Sequence, residues 1–269
     1  MITFPNAKIN LGLQIVEKLP NGYHAINSCL YPIPWSDVLE FVPSKKTQVV
    51  RTGIPVPGKP EEDIILKAYK RLKKDYSLPD LGIHLHKLVP IGAGLGGGSA
   101  DAAFMLKLLN SEFQLFLDDE ILEEYAAELG SDCPFFIKNS PALVTGTGTE
   151  LAPIDLDLSG NHLLIINPRI HISTQEAYSG TTPHESKVDL KKLLVSKDFQ
   201  SWKELLVNDF ELSIFKKHST LKKIKDQLYD QGASYAAMSG SGSTMFGIFQ
   251  DKPDSITYSE GWITKTLEL

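Results

Sequence analysis

Apolar side chains occupy every second position from 9 to 15, near the start of the chain. A period of two is typical of a strand with one buried face. Pro20-Asn21-Gly22 predicts a turn after this strand, and residues 24–31 follow as a second strand of mixed character. The beginning of the chain is therefore predicted to be β structure.

A loop, a helix and a third strand are predicted next. Prolines and a glycine between 55 and 60 indicate the loop, and a helix is expected over 61–76. Residues 82–89 alternate again and predict a strand, and its apolar face also carries Lys87.

A run of glycines follows this strand, and two helices are predicted beyond it. Ser99 is the predicted N-cap of a helix over 102–109. The acidic residues 118–120 suit the first turn of the next helix, and Gly130 suits its end.

The second half of the chain mixes strands and helices in the same way. A strand is predicted over 163–167, and residues 235–249 resemble a hairpin with a second glycine-serine loop. Helices are predicted over 189–195, 199–216 and 219–231. Composition changes little at the middle of the chain, but Pro153 and an acidic stretch interrupt the regular pattern between 148 and 160. We divide the chain there into domains of residues 1–152 and 153–269.

Composition and charge narrow the function classes. The 269 residues are 42% hydrophobic and 22% charged, which is ordinary for a globular protein. A net charge of −6 argues against sequence-independent binding to nucleic acid, which needs a basic surface. No apolar run approaches the roughly 20 residues that span a bilayer. Two cysteines and no export signal lead us to expect a cytoplasmic protein without disulfides.

The glycine run has the composition of a phosphate-binding loop. Five of the seven residues from Gly92 to Gly98 are glycine. Glycine allows positive φ and close approach to a ligand, and successive N–H groups can surround an anion. A helix start directly after the loop adds the positive end of its dipole.

Three readings of this loop compete with one another. A P-loop requires lysine where Gly98 stands, which excludes it. The dinucleotide fingerprint fits three of the glycines, but it usually follows the first strand of a domain, whereas this loop begins more than 80 residues into the chain. A simple connector remains open, although ordering so many glycines costs backbone entropy.

A fourth pattern fits position by position. The stretch Pro90-Ile-Gly-Ala-Gly-Leu-Gly-Gly-Gly-Ser-Ala100 resembles the loop of the GHMP kinases, including a proline and a leucine that the other loops do not require. That family often has glycine where this chain has Ala93, so φ at this position is expected to be negative.

Further motifs resemble one branch of that superfamily, the 4-diphosphocytidyl-2-C-methyl-D-erythritol kinases. They occur in the family's order and span most of the chain. They are Ala7-Lys8-Ile9-Asn10-Leu11-Gly12-Leu13, Gly22-Tyr23-His24, Gly130-Ser131-Asp132-Cys133-Pro134-Phe135-Phe136, Asn208-Asp209-Phe210-Glu211 and Ser239-Gly240-Ser241-Gly242-Ser243.

The resemblance implies a fold and a reaction. The fold is the α+β, two-domain GHMP kinase architecture with the active site in the interdomain cleft. The reaction is transfer of the γ-phosphoryl group of ATP, carried with Mg²⁺, to the 2-hydroxyl of 4-diphosphocytidyl-2-C-methyl-D-erythritol, a small-molecule substrate of the non-mevalonate route to isoprenoid precursors. Alternatives are a GHMP kinase acting on homoserine, mevalonate or a sugar, and a non-catalytic ligand sensor of the same fold.

The resemblance also implies the site residues. Asp132 corresponds to the catalytic base and Lys8 to the catalytic lysine, which would keep that carboxylate ionised and stabilise charge on the transferring group. The residues implied to bind the nucleotide are Pro90, Ile91, Gly92, Ala93, Gly94, Leu95, Gly96, Gly97, Gly98, Ser99 and Ala100. The residues implied to bind the substrate are Asn10, Tyr23, His24, Thr174, Tyr178, Ser239 and Gly240.

Several of these residues also have an ordinary structural explanation. Asp132 on its own suits a turn, and a lysine in an alternating strand is usually a solvated one. Tyr23 and His24 are implied to hold the cytosine ring, with Tyr178 on its other side, since a ring offers a stacking face and a histidine a hydrogen bond. No metal-ligating residues are predicted, because the pair of histidines in the strand over 82–89 has no third ligand at suitable spacing.

Overall fold

A computed structural model describes residues 1–186, 188–254 and 260–269 of the chain. It comprises two compact units that alternate along the sequence. The first unit contains Met1–Ala7, Trp35–Ile91 and Gly96–Ser140, and the second contains Lys8–Pro34, Gly92–Leu95 and Pro141–Leu269. The division into domains 1–152 and 153–269 stays a prediction.

The described elements form runs of strands separated by runs of helices. The strands are β1 (Ile2–Thr3), β2 (Asn6–Lys18), β3 (His24–Ser36), β4 (Val38–Pro43), β5 (Gln48–Gly53), β6 (Leu81–Lys87), β7 (Ala142–Thr145), β8 (Glu150–Pro153), β9 (His162–Asn167), β10 (Tyr235–Met238), β11 (Met245–Phe249) and β12 (Ile263–Glu268). The helices are α1 (Ile64–Asp75), α2 (Gly97–Glu112), α3 (Asp119–Ala127), α4 (Phe135–Lys138), α5 (Thr174–Ser179), α6 (Leu190–Ser196), α7 (Phe199–Leu205), α8 (Phe210–Lys217) and α9 (Ser219–Asp230). Among the described residues, no helix is long and apolar enough to cross a membrane.

The first unit contains a four-stranded sheet in the order β1-β4-β6-β5. β4 pairs with β6 antiparallel and β5 pairs with β6 parallel. Every second side chain of β6 is buried, from Leu81 to Lys87, which confirms the predicted strand. Lys87, predicted on the same face as Ile83 and Leu85, is buried with them. The helix predicted over 61–76 is α1, and Asp63 caps it by accepting a hydrogen bond from the Ile65 N–H at 3.1 Å.

The start of α2 differs from the sequence prediction. Its N-cap is Gly96, with φ at 68°, and Ser99 is the third residue of the helix, so the prediction of Ser99 as the cap was wrong. The chain enters this helix in a left-handed conformation, which glycine adopts at little cost and serine does not. The helix therefore begins inside the glycine loop.

The second unit contains two four-stranded sheets, in the orders β2-β3-β7-β8 and β10-β11-β9-β12. β10 and β11 form the predicted hairpin, whose last register pair is Met238 with Met245. One apolar core joins β2 to β9, α8, α9 and the hairpin; its members include Leu13, Ile15, Leu164, Ile166, Phe210, Ile214, Leu221, Ile224, Leu228 and Phe249. Because both sheets contribute side chains to this core, it fixes the ends of β2 and β10 from which the two loops leave.

The helix predicted over 199–216 is wrong, because the chain forms α7 and α8 with a break between them. In the break, the Val207 carbonyl accepts a hydrogen bond from the Leu13 N–H at 2.9 Å, and the Asp209 N–H donates to the Leu13 carbonyl at 2.8 Å. Asn208 donates from its amide to the Met238 and Gly240 carbonyls at 2.8 and 2.9 Å. A continuous helix would use these backbone groups internally, so contact with β2 decides the break.

Trp202 anchors α7 in the second unit. Its side chain is fully buried, and its indole N–H donates to the Leu193 carbonyl at 2.8 Å. The ring also meets Phe199 and Tyr235 edge to face, at centroid distances of 5.1 and 5.7 Å. Such a contact set is expected to contribute strongly to stability.

Trp202→Ala is expected to lower the free energy of unfolding by about 3–5 kcal/mol, because it leaves a large cavity and an unpaired carbonyl. Urea denaturation followed by circular dichroism measures the change. Leu212→Ala is the matched control, since Leu212 is 73% exposed on α8 and its truncation creates no cavity. Equal stability of the two variants would contradict this assignment.

Candidate active site

The glycine loop alternates between two kinds of backbone. Gly92, Gly94 and Gly96 have φ values of 62°, 79° and 68°, whereas Ala93 and Leu95 lie outside the left-handed region and are buried. The expectation for Ala93 is thereby confirmed. The apolar side chains fix the loop, and the glycines between them make its turns.

The part of the loop in the second unit is held by its carbonyl oxygens. The Ala93 carbonyl accepts from the Thr244 N–H at 3.3 Å, and the Leu95 carbonyl accepts from the Lys8 N–H at 3.0 Å. The Gly94 carbonyl accepts from the Ser239 hydroxyl at 2.8 Å. Three successive carbonyls are therefore bound by the protein itself.

Gly94 lies against the second glycine-serine loop. A Cβ atom at this position would stand 1.9 Å from the Ser239 carbonyl oxygen, far inside van der Waals contact. Only glycine permits this approach, whatever φ the backbone adopts. Ser239 and Gly240 thus support the first loop, and the amide of Asn208 fixes Gly240 in turn.

Lys8 and Asn10 belong to the same arrangement. The Lys8 ammonium donates to the Asn10 side-chain oxygen at 2.6 Å, and both side chains are almost fully buried. The Asn10 backbone N–H donates to the Ser239 hydroxyl at 3.2 Å, and its side-chain amide donates to the hydroxyl of Ser28 at 3.0 Å. The structure therefore gathers the predicted residues Lys8, Asn10, Ser239 and Gly240 around Gly94.

Ser28 is a supporting residue that was not selected from the sequence. It is fully buried on β3, and its hydroxyl donates to the Gly12 carbonyl while it accepts from Asn10. It thereby fixes which end of the Asn10 amide faces Lys8. A serine in a strand carries no signal of this role, because the role depends on pairing between β2 and β3.

A second group of predicted residues meets in a pocket of about 490 Å³ in the second unit. His24 and Tyr178 stack with centroids 4.9 Å apart and planes at 21°, and Tyr178 also meets Phe210 edge to face. Thr174 and Tyr178 lie four residues apart on α5 and so share a face. The remaining lining residues are Lys18, Gly22, Tyr23, Thr147, Gln175, Ser179, Thr181 and Pro183.

The rings of this pocket differ from the expected arrangement in one respect. Tyr178 was expected across a bound ring from His24, whereas here the two side chains touch directly. Tyr23 is 67% exposed at the same pocket. A flat ligand would therefore stack on an outer face of the pair or separate the two rings.

Asp132 lies in a turn of the first unit, next to the start of α2. The Cys133 N–H donates to the Gly130 carbonyl at 3.1 Å, and Asp132 is half-buried between them. The Cys133 thiol is near the Ser99 hydroxyl, and burial raises the pKa of this thiol to about 11. The apolar start of α4 follows at once, so the turn is held from both sides. Pro90, Ile91 and the loop residues Gly96–Ala100 belong to the same unit.

A buried ionic cluster in the first unit was not selected from the sequence. Lys87 donates to Asp37 and, at 2.6 Å, to Asp101, and all three side chains are at most 2% exposed. The sequence did contain a signal, since Lys87 shares a strand face with Ile83 and Leu85, and a lysine buried with such residues requires an acidic partner. We call these three residues the Asp–Lys–Asp cluster.

The cluster borders a pocket of about 390 Å³ in the first unit. Lys87, Asp101, Gly98 and Ile91 line one side of it. The other lining residues are Val56, Pro57, Gly58, Lys59, Glu62, Asp63, Ile64, Lys67 and Leu85. The pocket is thus continuous with the part of the glycine loop that starts α2.

Neither histidine of β6 is arranged as a metal ligand. His84 pairs with Glu40 at 3.0 Å, and its other nitrogen shares the Thr52 hydroxyl with His86. In the described part of the chain, no group of three or more His, Cys, Asp or Glu residues could hold a metal ion.

Comparison with known proteins identifies both halves of the chain. Residues 63–140 match the model of the GHMP kinases N terminal domain, and residues 190–261 match that of the GHMP kinases C terminal domain. These ranges lie on either side of the predicted boundary at residue 152.

Curated relatives match over most of their length. A protein of Parabacteroides distasonis named 4-diphosphocytidyl-2-C-methyl-D-erythritol kinase is 51% identical over 250 residues, which cover 93% of this chain and 92% of the relative. A protein of the same name from Bacteroides fragilis is 50% identical over 253 residues, with the same coverage of each chain.

Solved structures agree on the fold. A crystal structure of 4-(cytidine 5'-diphospho)-2C-methyl-D-erythritol kinase superposes with a TM-score of 0.79 at 27% identity, over 92% of this chain and 90% of the other. The mevalonate kinase of Methanococcus jannaschii superposes with a TM-score of 0.68 at 12% identity, over 100% and 98% of the two chains, which supports the fold alone. This chain therefore belongs to the GHMP kinases, within the family of 4-diphosphocytidyl-2-C-methyl-D-erythritol kinases.

Proposed function

We propose that this protein is an ATP-dependent kinase that phosphorylates the 2-hydroxyl of 4-diphosphocytidyl-2-C-methyl-D-erythritol, in the non-mevalonate route to isoprenoid precursors. The observation that carries the proposal is the 51% identity, over 93% of the chain, to a relative named for that reaction. The two free, buried cysteines fit a reducing, cytoplasmic setting for it.

The glycine loop is the proposed site for the phosphates of ATP. Positive φ at Gly92 and Gly94 and the helix start at Gly97 suit an anion, since both bring backbone N–H groups together. The pocket beside Gly98 and Ile91 suits the base of the nucleotide, because both apolar and polar side chains line it. Mg²⁺ is proposed to arrive with ATP and to neutralise charge on its phosphates.

The pocket of His24 and Tyr178 is the proposed site for the cytosine ring. Its aromatic pair offers stacking faces, and the His24 nitrogens and Thr174 hydroxyl offer hydrogen bonds to a base edge. Tyr23 is exposed at this pocket and can cover a bound ring. The alternative acceptors homoserine and mevalonate contain no such ring.

Asp132 and Lys8 are the proposed catalytic residues. Asp132 accepts the proton of the 2-hydroxyl as the oxygen bonds to the γ-phosphorus and the bond to the leaving ADP oxygen breaks. The Lys8 ammonium, oriented by Asn10, stabilises negative charge on the transferring group. Ser239 and Ser28 hold Asn10 and act through it as positioning residues.

A coupled assay of ADP release tests the proposal. Purified full-length protein with ATP and Mg²⁺ is offered the cytidylylated substrate, plain methylerythritol, homoserine, mevalonate and a hexose. Turnover of the cytidylylated compound alone is the expected result. Preference for another acceptor would assign a different GHMP kinase activity, and no turnover with intact nucleotide binding would assign a ligand sensor.

Asp132→Asn and Lys8→Ala are each expected to lower kcat by at least about 10³-fold, because each removes a group that acts on the reacting atoms. Binding of ADP, measured by calorimetry, should change by less than about threefold. Asp226→Asn and Lys192→Ala remove exposed charges and serve as controls with normal kcat. Near-normal kcat in either test variant would refute its role.

Tyr178→Ala is expected to raise KM for the cytidylylated substrate by roughly 10- to 100-fold, because base–aromatic stacking contributes about 1–3 kcal/mol. KM for ATP should remain unchanged. Tyr178→Phe keeps the ring and is the matched control, with KM close to wild type. An equal rise in KM for both substrates would indicate a folding defect instead of a lost stacking face.

A further inference from the structure

The Asp–Lys–Asp cluster contains two carboxylates and one ammonium. Its net charge is −1 if both acids are ionised and zero if one of them carries a proton. Burial disfavours a net charge, since little water is present to solvate it. Burial also disfavours the ammonium, but Asp101 and Asp37 together raise the pKa of Lys87 and keep it charged.

Hydrogen bonding decides which acid carries the proton. Asp37 accepts from Lys87 with one oxygen and from the Leu88 and Val89 N–H groups with the other, at 2.6 and 2.8 Å. Asp101 accepts from Lys87 through Oδ2, while its buried Oδ1 has no hydrogen-bond partner among the described residues. An ionised Asp101 would leave a charged oxygen unsolvated, so the proton belongs on Asp101.

Electrostatics supports the same choice. Burial, together with the neighbouring Asp37, raises the pKa of Asp101 to about 8, although Lys87 opposes the shift. The acid is therefore largely neutral at pH 7 and becomes ionised as the pH rises above about 8.

The Asp–Lys–Asp cluster packs against the start of α2. A Cβ atom at Gly97 would stand 3.4 Å from the Lys87 nitrogen, and Asp101 is the fifth residue of the helix. Asp101 and Lys87 also line the pocket that contains Gly98. A negative charge at Asp101 would therefore oppose an anion bound at this end of the glycine loop.

We propose that Asp101 is a charge-setting residue for nucleotide binding, held by Lys87 and Asp37 as the neutral acid, and that its ionisation weakens the affinity for nucleotide. The proposal rests on the nucleotide site proposed above. It assigns the role to the protonation state of Asp101 and requires no contact between this side chain and the nucleotide.

Other charged groups surround the same pocket. Helix α1 contributes Lys67, and Asp63 at its start pairs with Arg51 at 3.5 Å. Lys59 and Glu62 precede them. On the other side of α2, Cys133 lies near Ser99 with Asp132 beside it. A window of pH 7.5–9 lies above the range where carboxylates ordinarily titrate and below that of lysines.

Calorimetric titration of the full-length protein with ADP at pH 7.5 and 9.0 tests the proposal. ADP is fully ionised throughout, since the second pKa of a phosphate is about 6. For wild type, Kd is expected to rise roughly five- to tenfold at the higher pH, and for Asp101→Asn, which mimics the neutral acid, by less than about twofold. Glu112→Gln removes an exposed acid at the far end of the same helix and should behave as wild type.

A second readout detects the proton itself. At pH 8.5, titrations in two buffers of different ionisation enthalpy should reveal proton uptake on ADP binding by wild type and none by Asp101→Asn. A purely structural role of Asp101 would not change the number of protons taken up when ADP binds. A wild-type Kd that is equal at both pH values, or the same pH dependence in Asp101→Asn, would overturn the proposal.

The outcomes separate this inference from the proposed function. Absence of ADP binding at either pH would refute the nucleotide site itself. If Asp101→Asn does not fold, carbon NMR of the Asp101 carboxyl in wild type decides the matter. A midpoint near pH 8 that ADP shifts upward supports the proposal, and a midpoint below pH 6 overturns it.

Discussion

The candidate site of the second unit depends on the close approach of two backbone loops. Gly94 lies so near the Ser239 carbonyl that any side chain would collide with it, and the Ser239 hydroxyl bonds both to the Gly94 carbonyl and to the Asn10 N–H. Asn10 in turn holds the ammonium of Lys8. One serine therefore couples the path of the glycine loop to the position of the proposed catalytic lysine.

Burial determines the charge of the Asp–Lys–Asp cluster in the first unit. One carboxylate would neutralise the charge of the buried Lys87, yet two carboxylates pair with it. The excess acid gives the cluster a proton that can be gained or lost near neutral pH. A site for an anionic ligand requires a local surplus of donors and positive potential, and a neutral Asp101 preserves that surplus at the start of α2.

The proposed substrate pocket follows a different physical rule. Its recognition groups are aromatic rings and short polar side chains, supplied by the turn before β3 and by α5. In the proposed role, ring stacking gives affinity to a flat base with little dependence on exact position, whereas hydrogen bonds from His24 select the base edge. The proposal thus assigns binding and chemistry to separate residues.

The sequence by itself determined the elements with strong periodicity and the loop with a specific motif. The alternation in β6, with Lys87 on the face of Ile83 and Leu85, and the GHMP kinase loop were readable, because they depend on neighbours along the chain. The prediction of one buried face for β2 was wrong, because every residue from Ala7 to Ile15 is buried and the strand is therefore covered on both faces. Tertiary structure decided the rest. The break between α7 and α8 exists because Val207 and Asp209 bond to β2, and the cap of α2 is Gly96 because the loop enters left-handed. Ser28, Asp37 and Asp101 acquired their roles only through strand pairing and helix packing, since contacts between residues distant in sequence leave no periodic trace in it.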